Sequence, residues 1–373
     1  MTRDKNWKQQ DLEMMRRAME LAQKGAGWVN PNPMVGAVIV REGRIIGEGW
    51  HKRCGDWHAE RNALRDCCED PSGATMYVTL EPCCHTGKTP PCTEAILEHR
   101  IARVVVGLQD PNPRVAGKGI RILEEAGVVV ETGLLEDELR EQNRVFLHYI
   151  TTGLPWVVLK TATTLDGKIA TATGSSRWIT GGASREEVHR MRAQYPAILV
   201  GIGTVLADDP MLNCRLEGDF RQPIRLVADS MARIPCTSAL VRTASEQRTV
   251  VVCGQKAPAD RVEALRQQGV EVWVLPGERP RVEDLARKAG DAGIDAILLE
   301  GGGTLNEAFL QEGLVREYCL FMAPKLVGGK DAPTAVEGKG ILQMQDAWVL
   351  ENLTVDRFGD DVCIRGRIPM KKE

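Results

Sequence analysis

The sequence predicts an α/β protein of two domains, and three observations carry that prediction. Its 373 residues are more than one hydrophobic core usually serves, so two domains, or three, are expected. Short runs rich in Val, Ile and Leu alternate with stretches of helical periodicity along both halves, the order that builds layered α/β sheets. Between the halves, Thr151-Thr152-Gly153-Leu154-Pro155 carries the Gly and Pro punctuation of a linker, dividing the chain into residues 1–150 and 151–373.

In the first half, Leu12, Met15, Met19 and Ala22 recur at helical spacing and Gly25 offers a stop, which predicts an amphipathic helix over 11–24 with the methionines in the core. After the break at Pro31-Asn32-Pro33, the run 35–40 turns through Arg41-Glu42-Gly43-Arg44 into Ile45 and Ile46, a hairpin. His58 opens a helix whose buried face is Ala59, Ala63, Leu64 and Cys67. Strands at 77–80, 103–106 and 128–130 alternate with helices at 92–99 and 118–126, and one helix over 134–150 closes the domain.

The second half restarts with a strand at 156–160 and a turn at Thr164-Leu165-Asp166-Gly167. Further strands are expected at 197–201, 224–229, 249–253, 270–275, 295–299 and 317–322, with helices near 184–193, 258–268, 281–291 and 304–312. The strand Ala296-Ile297-Leu298-Leu299 runs through Glu300 into Gly301-Gly302-Gly303-Thr304-Leu305-Asn306. A glycine turn at a helix N-terminus exposes backbone N–H groups that suit a phosphate, although such turns are as often plain punctuation.

Composition narrows the function. A net charge of −3, with no Lys/Arg tract, gives no attraction for nucleic acid or an anionic membrane, so a small-molecule partner is expected. Eleven cysteines, odd in number and irregularly spaced, do not form a disulfide framework and imply reduced thiols. No apolar run approaches the ~20 residues of a membrane span, and the start has no signal-peptide core. The expected location is cytoplasmic, and the expected assembly a closed-symmetry homo-oligomer.

The chemistry concentrates in His58-Ala59-Glu60 and Glu81-Pro82-Cys83-Cys84-His85-Thr86-Gly87-Lys88-Thr89-Pro90-Pro91-Cys92. His58, Cys83 and Cys92 offer one imidazole and two thiolates, a set that suits zinc and leaves its fourth tetrahedral position to water. Pro82 and a helix's first turn favour thiolate at Cys83. Glu60 reaches such a water without being a ligand, which is the H-x-E…P-C pattern of zinc deaminases. Cys67, Cys68, Cys84 and His85 also allow a closed, structural site to be drawn. That alternative leaves Glu60 without a role, and adjacent Cys83 and Cys84 do not easily face one tetrahedral ion; Cys84 reads as a small packing residue.

Base-editing and tRNA deaminases carry P-C-x-x-C, whereas Cys83 and Cys92 stand nine residues apart. With that insert, Thr164-Leu165-Asp166-Gly167, Val205-Leu206-Ala207-Asp208-Asp209-Pro210 and Glu300-Gly301-Gly302-Gly303-Thr304, nearly the whole chain resembles the bifunctional riboflavin biosynthesis deaminase–reductases. The resemblance implies a cytidine-deaminase-like α/β/α layered domain followed by a dihydrofolate-reductase-like α/β domain. The first deaminates 2,5-diamino-6-ribosylamino-4(3H)-pyrimidinone 5′-phosphate with one Zn2+ per chain, and the second reduces the ribosyl group to ribityl with NADPH. It implies further that Glu60 is the general acid/base, Asn32 and His51 contact the base, and Lys88 and Thr89 the ribose phosphate, with a solvated loop charge as the alternative for Lys88. Cofactor contacts are implied at Ala162, Trp178, Thr204, Asp208, Ser230, Gly302, Gly303, Thr304, Leu305 and Asn306. Substrate contacts are implied at Ser176, Arg192, Leu212, Arg215 and Glu300, with Lys160 assisting and the two arginines suited to a phosphate. Trp178 and Leu212 as core, and Asp208 as a turn or cap residue, stand as alternatives. The sequence alone singles out no arginine for the 2′-phosphate of NADPH. Two other functions stay open: a deaminase of free nucleobases or nucleosides with a non-reducing second half, and a zinc-stapled nucleotide sensor.

Overall fold

Eleven elements make up the first unit of the chain, Met1–Gly153, in the computed structural model, which describes residues 7–86, 89–112 and 115–369. They are α1 (Gln9–Gln23), β1 (Gly36–Arg41), β2 (Arg44–Trp50), α2 (Ala59–Asp66), β3 (Thr75–Leu80), α3 (Cys92–Glu98), β4 (Arg103–Leu108), α4 (Lys118–Glu125), β5 (Val129–Thr132), α5 (Glu136–Gln142) and α6 (Arg144–Thr152). The sheet runs β2-β1-β3-β4-β5, antiparallel across its first three strands and parallel across its last three. Glu42 and Gly43, at φ 48° and 80°, give the β1–β2 hairpin the primed turn that matches strand twist.

Glycines set how closely the helices approach. A Cβ on Gly36 would stand 1.9 Å from Ala18 O of α1, and one on Gly49 would stand 2.2 Å from Ala63 N of α2. Gly49 pairs with Ala37, the residue after Gly36, and neighbouring strand residues face opposite ways. So α1 and α2 cover opposite faces, and the unit is the expected α/β/α sandwich. Its core is aliphatic, with Val38, Ile39, Met76, Val104 and Val105 fully buried.

The expected helix over 134–150 is two helices. Asn143 breaks it because its side chain serves another segment: Oδ1 accepts from Met34 N at 2.9 Å and Nδ2 donates to Met34 O at 3.0 Å. Asn143 thereby fixes the Asn32-Pro33-Met34 stretch from 109 residues away.

In the second unit, Leu154–Glu373, the elements are β6 (Trp156–Thr164), α7 (Gly182–Gln194), β7 (Ala197–Gly201), α8 (Ile202–Asp208), β8 (Ile224–Ala228), α9 (Ala239–Arg242), β9 (Thr249–Gly254), α10 (Ala259–Gln267), β10 (Glu271–Leu275), α11 (Val282–Asp291), β11 (Ala296–Leu299), α12 (Gly303–Gln311), β12 (Val315–Ala323), β13 (Glu351–Phe358) and β14 (Asp361–Arg367). The nine-stranded sheet runs β10-β9-β8-β7-β11-β6-β12-β14-β13. It is parallel from β10 through β12, and β14 and β13 close it antiparallel. Sequence periodicity does not reveal α8, α9 or the β13–β14 hairpin. β13 is exposed along nearly its whole length, so it has no apolar run to betray it.

Gly49→Ala should destabilise the first unit by about 1–3 kcal/mol, the usual cost of overpacking. Thermal unfolding checks this against Gly203→Ala, where nothing lies within 4 Å of the added Cβ and no loss is expected.

Candidate active sites

The first site gathers at the N-termini of two helices. His58 caps α2, Cys92 is the first residue of α3, and Cys83 follows β3 in the turn between them. His58 Nδ1 stands 3.4 Å from both Cys83 Sγ and Cys92 Sγ, and the three donor atoms lie within 4.8 Å of one another. They form the only such N/S group among the described residues. Cys84 and His85 stay outside it, and the Cys67 thiol donates to Ala63 O over Gly47, filling the space a side chain there would take. That gives Cys67 a packing role; nothing in the structure explains Cys68.

Charge and burial fit a cation. The Cys92 thiol and the imidazole of His58 hold Cys83 below the ordinary thiol range, while Cys92, beside that thiolate and buried, is pushed far up. Two thiolates in one buried site are unfavourable without a cation, and one imidazole with two sulfurs is a zinc donor set. Glu60, next along α2, is buried, its Oε2 has no hydrogen-bond partner, and burial pushes its carboxyl up to about 7.

His51 and Asn32 form the neighbouring wall. His51 Nδ1 donates to Trp57 O at 3.1 Å, so Nε2 is the acceptor, and Asn32 Nδ2 donates to it at 3.1 Å. Burial lowers His51, which agrees with a neutral ring. The chain of bonds leaves the Asn32 carbonyl oxygen as a directed acceptor. Thr89 is buried, and the Lys88 expectation lies outside the described residues.

Two residues that sequence reasoning missed hold this loop. Glu81 is buried and its carboxylate accepts from four backbone N–H groups, of Asp110, Gly117, Gly119 and Ile120, at 3.0–3.3 Å. A carboxylate on the first turn of α4 is well placed, and it ties Pro82 and Cys83 to that helix. Arg61 of α2 donates to Pro90 O at 3.2 Å and Pro91 O at 2.8 Å, fastening the arm that brings Cys92 back. Glu81 beside Pro82-Cys83 was a visible signal, but its partners lie some thirty residues on.

The second site lies in the second unit. A crevice of about 1510 Å³ follows the carboxyl ends of its parallel strands, where α/β sheets bind ligands. It collects Ser176, Thr204, Asp208, Ser230 and the turn from Gly302 to Leu305. Ala162, Trp178 and Asn306 do not line it. Trp178 is exposed, with the Arg185 guanidinium 4.5 Å above its ring, and buried Asn306 donates to Gly301 O and Ala335 O.

A charged cluster sits on β6 and at the end of β11. Arg192 grips Glu300 with both prongs at 2.8 and 2.9 Å, and Lys160 Nζ stands 3.5 Å from Glu300 Oε2. Burial alone would raise Glu300; Arg192 first and then Lys160 hold its carboxyl down to about 2. Arg192 also donates to Asn213 O at 3.2 Å, and exposed Arg215 to Asn213 Oδ1 at 3.1 Å. Leu212, buried at φ 46°, is held by Gln247, which donates to its carbonyl at 3.2 Å. Fully buried Arg225 braces the same loop through Met211 O and closes its fork on Thr243 and Gln247.

Together the units define a class, a two-site enzyme with an N/S donor set suited to zinc in one unit and a ligand-sized crevice at the carboxyl ends of a parallel sheet in the other. Comparison with known proteins agrees. Residues 8–108 match the family described as "Cytidine and deoxycytidylate deaminase zinc-binding region", and residues 155–364 match the "RibD C-terminal domain". The chain is 49% identical over 356 residues to riboflavin biosynthesis protein RibD of Actinobacillus pleuropneumoniae, covering 95% of this chain and 94% of that one. It is 40% identical over 369 residues to RibD of Escherichia coli K12, covering 95% and 98%. The solved structure of Acinetobacter baumannii RibD, form 1, superposes with TM-score 0.88 at 39% identity over 97% of this chain and 99% of that one. The Thermotoga maritima diaminohydroxyphosphoribosylaminopyrimidine deaminase/5-amino-6-(5-phosphoribosylamino)uracil reductase gives 0.85 at 37% over 96% and 99%. The chain belongs to the RibD family. It is a bifunctional enzyme of riboflavin biosynthesis, a zinc-dependent deaminase joined to an NADPH-dependent reductase with a dihydrofolate-reductase-like fold. No helix among the described residues is long and apolar enough to cross a membrane.

Glu81→Gln replaces a four-bond acceptor with one that offers a single oxygen, and should lower zinc affinity about 10–100-fold, read by chelator competition. Arg192→Met should destabilise the second unit by about 3–5 kcal/mol near neutral pH, since it strips a buried carboxylate of its main partner. Because the folded carboxyl lies below its ordinary 4.5, the stability it contributes is fully present above that pH and drains as pH falls toward 2. The deficit of Arg192→Met should therefore shrink through that window in denaturant titrations.

Proposed function

We propose that His58 Nδ1, Cys83 Sγ and Cys92 Sγ hold one zinc ion per chain and that Glu60 is the proton shuttle of the deamination. The observation that carries this reading is Glu60 Oε2, buried without a hydrogen-bond partner beside three convergent N/S donors. The ion, when bound, supplies the Lewis acidity that makes water a nucleophile at neutral pH. Glu60 takes a proton from that water and passes it to the ring nitrogen as the C–O bond forms. It then takes the remaining proton of the added hydroxyl and gives it to the amino group, which leaves as ammonia when the C–N bond breaks and the carbonyl forms. Burial places this carboxyl where it can both take and give a proton out of contact with bulk water. Asn32, with its carbonyl directed by His51, reads the base, and Thr89 and Lys88 take the ribose phosphate. The substrate is 2,5-diamino-6-ribosylamino-4(3H)-pyrimidinone 5′-phosphate, in keeping with the Thermotoga relative, a diaminohydroxyphosphoribosylaminopyrimidine deaminase by name.

In the second unit the ribosyl group is reduced to give 5-amino-6-(5-phosphoribitylamino)uracil, and NADPH supplies the hydride. Gly302, Gly303 and Thr304 open α12 and offer its free amides to the cofactor's phosphates, with Thr204, Asp208 and Ser230 along the crevice; Ala162 and Trp178, which do not line it, would meet the cofactor beyond the crevice. Leu305 lines the turn, and Asn306 holds it by bonding Gly301 and Ala335. Arg192 spends its fork on Glu300, which leaves Arg215 as the phosphate residue and makes Arg192 the group that orients Glu300 toward the ribose. Lys160, held by Glu300, assists at the sugar, and Ser176 and Leu212 complete the wall. Eleven cysteines, none of them in a disulfide, support a reducing, cytoplasmic setting, and exposed Leu353 and Val355 on the edge strand β13 support a homo-oligomer. With a net charge of −3, the chain carries no nucleic-acid partner.

Glu60→Gln tests the shuttle. Ammonia release should fall about 10²–10⁴-fold, while zinc content and NADPH oxidation on supplied aminouracil substrate stay at wild-type levels. Loss of zinc together with ammonia release would instead make Glu60 a structural residue.

A further inference from the structure

Four cations line the crevice of the second unit: Lys339, in the segment that packs on α12 through Gly338 and Glu307, and three arginines. Where β11 meets α12 its wall is the glycine turn, but where β8 ends the wall is Asp229, Ser230, Met231 and Arg233, and the loop before α11 adds Arg279 and Arg281. Arg281 is engaged, pairing with Glu283 at 3.3 Å and Asp284 at 3.2 Å. Arg233 is different. Its side chain is 57% exposed, and its ion-pair partner is Asp229 Oδ1 at 3.7 Å, longer than a hydrogen bond.

The loop that presents Arg233 is rigidly made. Ala232, at φ 50°, donates to Asp229 O at 3.0 Å, and Arg261 donates to Ala232 O at 2.8 Å. Ser230 O accepts from Gly254 N at 2.9 Å, tying the loop to β9. Asp229 is buried; its Oδ2 accepts from Ile234 N at 2.8 Å, while Oδ1 has no hydrogen-bond partner and faces the Arg233 guanidinium. One carboxylate thus closes the turn with one oxygen and steers the guanidinium with the other.

Strand order says what Arg233 would meet. The glycine turn follows β11, and β7 and β8 stand next in the sheet, so the β8 loop lies two strand spacings, about 10 Å, to the side. With the cofactor's pyrophosphate at the glycine turn and its nicotinamide toward Lys160 and Glu300 on β6 and β11, the adenosine ribose extends the other way, over β8. We propose that Arg233, steered by Asp229, takes the 2′-phosphate of NADPH and sets the preference for NADPH over NADH. A guanidinium suits this role because its fork matches two phosphate oxygens. The proposal rests on the reading of this crevice as the NADPH site and goes beyond it by assigning the discrimination to one side chain.

Equilibrium binding tests it without turnover. Dissociation constants for NADPH, NADH, adenosine 2′-monophosphate and adenosine 5′-monophosphate would be measured by calorimetry for the full chain, Arg233→Ala, Arg233→Lys and Arg279→Ala. Arg233→Ala should weaken NADPH and adenosine 2′-monophosphate about 10–100-fold and leave NADH and adenosine 5′-monophosphate within about twofold. Arg233→Lys should fall between, since a point charge replaces the fork. An unchanged NADPH-to-NADH ratio in Arg233→Ala, or the loss of preference in Arg279→Ala instead, overturns the assignment. A wild-type chain that binds NADPH and NADH equally removes the NADPH reading beneath it, and the proposal with it.

Discussion

Because Gly47 and Gly49 carry no side chain, α2 lies with its backbone directly against β2, and the deaminase centre depends on that approach. A Cβ at either position would meet Ala63 O or Ala63 N at 2.4 or 2.2 Å. The helix so placed delivers His58 at its cap, Glu60 in its first turn and Arg61 beside it, three residues with three different tasks. His58 turns toward the sulfurs, Glu60 is buried beside them, and Arg61 reaches out to hold Pro90 and Pro91. Glu81 does the same service from the other side by fastening the Cys83 turn to α4. The site is therefore preorganised by backbone contacts and by bonds to backbone, not by the donors themselves, which is what a catalytic centre with an open ligand position requires.

The second unit solves a different problem, keeping a carboxylate ionised where water is scarce. Glu300 sits at the end of a fully buried strand and is charged only because Arg192 and Lys160 flank it. Arg192 in turn grips the loop that contains Asn213, and Arg225, buried with its fork on neutral hydroxyl and carbonyl oxygens, braces that loop from below. The result is a cluster of fixed charge on β6 and at the end of β11, where the chain runs on into the glycine turn that lines the crevice. Hydride transfer asks the protein for placement more than for chemistry, and this arrangement supplies placement.

Much of this was legible in the sequence where local pattern and global role coincide. The β1–β2 hairpin followed from an apolar run and Glu42-Gly43, and the zinc group from residue types at a telling spacing. What stayed hidden depends on partners far apart in the chain. Asn143 sits inside a convincing helical pattern, and only its bonds to Met34 explain why the helix stops there. Glu81 heads the cysteine-bearing run, but the amides it binds belong to residues 110–120. β13 has the exposed, mixed composition of an edge strand, so its periodicity carries no core signal. Arg192 and Arg215 looked alike as phosphate residues until the structure gave one of them a carboxylate.

The central claim is that the first unit holds zinc with three protein donors and one position open to water, and X-ray absorption at the zinc edge measures that directly. The account predicts one zinc per chain with two sulfurs at about 2.3 Å and a nitrogen and an oxygen at about 2.0–2.2 Å, the oxygen contribution changing when substrate is added. A spectrum with three or four sulfurs, or one indifferent to substrate, would mean that Cys84 or another thiol closes the shell, and the site would be a structural staple instead of a catalyst.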